Sequence, residues 1–190
     1  MSPSFDPYEP CALCVFISGR GSNLGALLQQ QETYRVALVI TDNPDAKGLD
    51  LARAAGVAYL CHPLPLAAQG LRVIARALQA HKIERIALAG YMRRLPASFC
   101  RIWQGRIINI HPSLLPAFKG LDTHRRALQA GAKQHGASVH LVTPQIDAGT
   151  ILGQAALDIL SDDTPDTLAA RVLVKEHILY PNIVNSWCLQ

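Results

Sequence analysis

The sequence predicts an α/β fold: a mostly parallel sheet with helices on both faces, and antiparallel strands in the C-terminal part. Three observations carry that expectation. Short apolar runs alternate with stretches of helical spacing through the first ~110 residues, the pattern of a parallel sheet. A glycine-rich turn, Gly19-Arg20-Gly21-Ser22-Asn23, joins the first run to the first helical stretch. Two later runs, over 137–142 and 151–159, read as paired strands across a loop that contains Asp147. The 190 residues are 49% apolar and 17% charged, which suits a single globular domain over 1–190, behind a loose tail over 1–12, and excludes disorder.

Each element follows from local pattern. Residues 13–17 form an apolar run that stops at Ser18, and 24–31 have helical spacing. Residues 36–40 are β-branched and end at the turn-forming Thr41-Asp42-Asn43-Pro44. An alanine-rich helix over 49–55 is closed by Gly56, and a short strand follows over 57–60. Leu71, Ile74, Ala75 and Leu78 share one face of an amphipathic helix. Residues 86–89 and 107–110 are further strands, 112–120 a proline-containing loop, and 123–130 a short helix ending at Gly131. Asp163 or Thr164 caps a long helix from Pro165, with a break expected at Tyr180-Pro181. The whole is Rossmann-like, and ligands in such folds gather at the carboxyl ends of the strands.

Composition narrows the function. The net charge of +4 comes from scattered Lys and Arg, with no block of five like charges, so neither nucleic acid nor membrane is an expected partner. Small anionic substrates remain compatible. No apolar run approaches the ~20 residues of a spanning helix. The N-terminal stretch carries Asp6 and Glu9 with no basic flank, so a cytoplasmic protein is expected. Cys11 and Cys14 lack a second pair that would complete a zinc site, and no metal is expected.

Two constellations carry chemistry. The glycine-rich turn supports a phosphate cradle or, equally, a tight strand-to-helix turn; Ser22 and Asn23 add hydrogen bonds or cap the helix. Leu24 stands where a dinucleotide fingerprint needs its third glycine, and no Walker lysine is present. In Ile107-Ile108-Asn109-Ile110-His111, Asn109 and His111 face the same side of a strand, and an amide beside an imidazole suits an oxyanion. A hydrogen-bonded structural pair is the alternative. Asp147 is a candidate carboxylate for His111. His62, His81 and His135 read as surface or turn positions.

In chain order, the segments Ile17-Ser18-Gly19-Arg20-Gly21-Ser22-Asn23, Leu88-Ala89-Gly90-Tyr91-Met92-Arg93, Asn109-Ile110-His111-Pro112-Ser113-Leu114-Leu115-Pro116, Gly120-Leu121-Asp122-Thr123-His124, Ser138-Val139-His140 and Asp147-Ala148-Gly149 resemble the folate-dependent formyltransferases, in the branch that acts on glycinamide ribonucleotide. The resemblance implies transfer of a formyl group from 10-formyltetrahydrofolate to the amine of phosphoribosylglycinamide, in purine synthesis. It implies Asn109, His111 and Asp147 as catalytic residues, and Gly21, Ser22, Asn23, Lys175 and Glu176 as the nucleotide site. Met92, Arg93, Arg94, Leu95, Asn109, Thr143, Pro144, Gln145, Ile146 and Asp147 would line the folate pocket. Implied partners are the two small substrates, with a homodimer left open. Asp147 would raise the pKa of His111 and favour its imidazolium. The sequence departs from the family at Ala67, where an arginine is usual, and at Thr150, where a proline is usual. A sugar-amine formyltransferase, a formyltetrahydrofolate hydrolase and a non-catalytic ligand-binding module are the alternatives; retention of Asn109, His111 and Asp147 argues against the last.

Overall fold

The computed structural model describes residues 9–62 and 68–190, so Ala67 and the first eight residues of the expected tail lie outside them. In chain order the elements are β1 (Cys11–Ile17), α1 (Ser22–Gln29), β2 (Tyr34–Thr41), α2 (Gly48–Ala54), β3 (Ala58–Cys61), α3 (Ala68–Ala80), β4 (Arg85–Leu88), α4 (Ala97–Ile102), β5 (Ile107–His111), α5 (Thr123–Gln129), β6 (Gln134–Leu141), β7 (Ile151–Asp158) and α6 (Pro165–Cys188). One seven-stranded sheet runs β3-β2-β1-β4-β5-β6-β7. The pairs from β3 to β5 are parallel, and β5–β6 and β6–β7 are antiparallel.

Alternation along β1 explains the two helical layers. Cys11, Leu13, Val15 and Ile17 join one core with Leu24 and Leu27 of α1, Leu49 of α2 and Leu168, Val172, Tyr180, Val184 and Trp187 of α6. Ala12, Cys14 and Phe16 point the other way, into a core with Ile74 and Leu78 of α3 and Phe99 of α4. Every residue of β1 is buried, which only a sheet covered on both faces permits. Cys11 and Ala12 therefore belong to the sheet and not to a loose tail.

Local chemistry places most boundaries. Gly56 (φ +66°) follows α2, with its N–H on the Arg53 carbonyl and the Val57 N–H on the Ala52 carbonyl, closing the helix as expected. Thr164 and Thr167 cap α6 reciprocally, with Pro165 as its first residue. Two expectations need correction. The proline at 181 does not break α6, which continues to Cys188. Pro181 supplies no N–H to the carbonyl of His177, one turn back, and the Gln30 side-chain amide donates to that carbonyl at 3.4 Å instead. His135 is neither surface nor turn: it is 1% exposed within β6 and shares a 3.1 Å hydrogen bond with His124. Helix α4 carries no period in its six residues and was not visible in the sequence pattern.

β1 is flanked by β2 on one side and β4 on the other, so the order in which strands are added to the sheet reverses about it. The crevice at such a switch point is where the carboxyl ends of β1, β4 and β5 converge.

Candidate active site

A cavity of about 730 Å³ opens at those strand ends, within the usual range for a small-molecule site. Its wall combines Asn23 of α1, the segment after β4, the end of β5, the loop entering α5, the loop after β6 and Glu176 of α6. Of the residues singled out from sequence, Asn23, Met92, Arg93, Arg94, Leu95, Asn109, His111, Thr143, Pro144, Gln145, Ile146, Asp147 and Glu176 line it. Gly21, Ser22 and Lys175 are outside the lining, and Lys175 is exposed on α6.

Asn109, His111 and Asp147 meet. His111 is buried at the end of β5, its Nδ1 3.5 Å from Asp147 Oδ2 and its Nε2 3.1 Å from the Phe118 carbonyl. Asp147 accepts the Gly120 N–H at 2.9 Å and has its other oxygen 3.6 Å from His140 Nε2. It sits at φ +47°, a left-handed backbone that aspartate tolerates better than most residues. The loop returns closely on β6: a side chain at Gly149 would run into the Leu141 carbonyl, so glycine is required there.

His140 was missing from the sequence-derived site. The antiparallel register sets it opposite Asn109, and its Nε2 lies 3.3 Å from Asn109 Nδ2. Its Nδ1–H donates to the Leu141 carbonyl at 2.9 Å, so in the neutral ring Nε2 accepts an Asn109 hydrogen and in the charged ring it donates toward Asp147 instead. The sequence signal was the alternation Ser138-Val139-His140, uninformative until the pairing partner is known. Ser138 itself holds the loop after β5: its hydroxyl donates to the Ser113 carbonyl at 2.6 Å and accepts the Leu115 N–H at 3.0 Å. The Leu115–Pro116 peptide in that loop is cis.

Burial dominates the electrostatics. It pushes His111 below the ordinary histidine value, against the opposing pull of the Phe118 carbonyl and Asp147. The expectation that Asp147 raises His111 is right about the sign of one contribution and wrong about the sum. Burial also works against the charge on Asp147, yet His140, the Gly120 N–H and His111 together hold its carboxyl below the usual range. Glu176 is pushed up by burial, against the hydrogen bond that Asn23 Nδ2 donates to it at 2.7 Å.

Gly21 has a structural explanation. It occupies the cap position of α1 at φ +75°, and a Cβ there would lie 2.6 Å from Gly48 Cα. Neither Ser22 nor Asn23 caps the helix; Asn23 reaches Glu176 instead. Asn23 Oδ1 and Thr123 Oγ1, both on lining residues, are buried and find no hydrogen-bond partner among the described residues. Such atoms are costly unless a ligand satisfies them. Among the described residues no group of three or more His, Cys, Asp and Glu could hold a metal ion.

With this geometry, the comparison with known proteins is specific. Residues 12–184 match the profile of the formyl transferase family. The chain belongs to that family. Phosphoribosylglycinamide formyltransferase of Escherichia coli K12 is 41% identical over 184 residues, covering 92% of this chain and 85% of that protein. The trifunctional purine biosynthetic protein adenosine-3 of Drosophila melanogaster is 41% identical over 178 residues, of which the match spans only 13% of the longer protein. The solved phosphoribosylglycinamide formyltransferase of Brucella melitensis superposes with a TM-score of 0.88 at 44% identity, covering 95% of this chain and 96% of that one. As a formyl transferase, the chain shares the fold of that solved relative over 95% of its own residues, and no helix among the described residues is long and apolar enough to cross a membrane.

Proposed function

We propose that this formyl transferase moves a formyl group from 10-formyltetrahydrofolate to the amine of phosphoribosylglycinamide, with Asn109, His111 and Asp147 as its catalytic residues. The observation that carries the reading is the convergence of those three side chains, with His140, on one wall of the cavity. The folate supplies an activated formyl carbon. Leu95, Met92, Val142 and Ile146 offer an apolar slot for a flat heterocycle. On the other side, the α1 N-terminus presents N–H groups to a phosphate, and Asn23 and Glu176 face the amine-bearing portion.

The residues act as follows. Asn109 donates the amide hydrogen not used by His140 to the formyl oxygen as charge develops there, a contribution typically worth ~3 kcal/mol. His111 stands neutral, with Nε2–H donated to Phe118 and a lone pair on Nδ1. It takes the proton released by the attacking amine. A proton arriving on Nδ1 is met by the Asp147 carboxylate, which holds the imidazolium until His111 returns the proton to the departing nitrogen.

The test is turnover of purified protein with 10-formyltetrahydrofolate and a panel of amine acceptors. Formyl-glycinamide ribonucleotide should be the product. A preference for a sugar amine, or folate turnover without an acceptor, overturns the assignment.

A further inference from the structure

Asp42 ends β2's turn outside the cavity lining, yet its two carboxylate oxygens hold two strands' worth of site. Oδ1 accepts the Ser18 hydroxyl at 2.5 Å, and Oδ2 accepts Arg93 Nε at 2.7 Å. Ser18 Oγ in turn accepts the Met92 N–H at 2.9 Å. A single carboxylate thus joins the exits of β1, β2 and β4. The Asp42 side chain is only 12% exposed, which separates this ion pair from the solvated surface kind.

We propose that Asp42 is a positioning residue, which locks the segment 90–95 in the shape that receives the folate. The proposal rests on the formyl-transfer reading above. That segment leaves β4 through Gly90 at φ +73°, carries a largely exposed Met92, and has left the sheet before α4 begins. The carboxylate also sets the direction of the Ser18 proton: with the hydroxyl donated to Asp42, a lone pair is left for Met92. An asparagine at 42 offers one acceptor atom where two donors converge, so one of the two ties fails.

The effect is selective. The start of the glycine-rich turn has other supports, namely Asn43 Nδ2 donating to the Ser18 carbonyl at 3.1 Å and the Gly48 N–H to the Gly19 carbonyl at 3.1 Å. The nucleotide half therefore keeps its frame when Asp42 changes.

Steady-state kinetics of wild type, Asp42→Asn and Ser18→Ala decide the matter, with calorimetric titration of an unreactive tetrahydrofolate analogue as a second readout. Losing one charge-assisted tie should raise the folate KM and analogue Kd roughly five- to tenfold. kcat and the nucleotide KM should stay within about twofold, because nothing at Asn109 or His111 has moved. The double variant should be no worse than about the worse single one. A folate KM within twofold of wild type in both variants, or a fall in kcat at unchanged KM, overturns the role of Asp42. Should Asp42→Asn not fold, Ser18→Ala alone decides on the same readouts. Wild type that binds the analogue but formylates no acceptor refutes the transfer reading while the titration still judges Asp42; wild type that binds no folate refutes both.

Discussion

His111 is a side chain on which two forces act in opposite directions. Burial favours the neutral ring, and the Asp147 carboxylate 3.5 Å away favours the charged one. Asp147→Asn keeps the shape and removes the second force, so the His111 pKa should fall further. The acid limb of the pH–rate profile, where the base becomes protonated, should then move to lower pH while kcat falls. Titration of His111 by NMR in both proteins checks the shift, and an unchanged pKa refutes the coupling. Asn109→Ala should lower kcat by roughly 10²–10³-fold with little change in ligand affinity. At this scale the sequence was legible where spacing sufficed: Asn109 and His111, two apart on a strand, had to share a face. It was silent on His140, whose relation to Asn109 exists only through an antiparallel register, and on the place of Lys175, which the helix leaves exposed outside the cavity lining.

Among the elements, α1 and α6 define the nucleotide side of the cavity, and each is set by close packing. A Cβ at Gly21 would press on the α2 backbone at 2.6 Å, in a left-handed conformation that costs about 1–2 kcal/mol for other residues. Gly21→Val should therefore lower the melting temperature and weaken the nucleotide more than the folate; equal loss of both ligands would mean that the phosphate does not sit at the α1 N-terminus. Tyr180 on α6 donates its hydroxyl to the Leu88 carbonyl at 2.9 Å, where β4 ends beneath the cavity. Tyr180→Phe removes that buried hydrogen bond from the end of β4, and should cost about 0.5–1.5 kcal/mol in denaturant unfolding. Strand and helix patterning foreshadowed nearly all these elements, because long periodic runs and strong caps leave little choice. What it could not give was the passage of α6 through Pro181: a proline kinks or breaks a helix depending on packing around it, and neither that packing nor the Gln30 amide at the His177 carbonyl is encoded in a local pattern.

For the whole molecule, several buried histidines make stability depend on acid. His135 is pushed down to about 4 by burial and by His124, and burial lowers His111 and His124 as well. Each of these folded values lies below the unfolded one, so the unfolded chain binds more protons in that window. Stability present above about 6.5 is lost as pH falls toward about 4. Glu176, raised by burial, acts in the opposite direction, favouring the fold at acid pH and losing that contribution as pH rises. The unfolding free energy of His135→Gln, measured at pH 7 and pH 4.5, should change less between the two than that of wild type. An equal slope would assign the acid response elsewhere.

The position of α6 carries a consequence for how this molecule is made. Leu168, Val172, Tyr180, Val184 and Trp187 cover a face whose other half, Leu13, Val15 and Ile17, lies in the first strand. Asn185 then fastens that helix to the turn after α1, accepting the Glu32 and Thr33 N–H groups at 3.2 and 3.1 Å. During synthesis the first strand therefore leaves the ribosome nearly 150 residues before the helix that shields it. Through that interval a growing chain carries an uncovered apolar sheet face, the kind of surface that sticks to other chains or recruits a chaperone. The cavity, with Asn23 at one end of this span and Glu176 at the other, forms only when the interval closes.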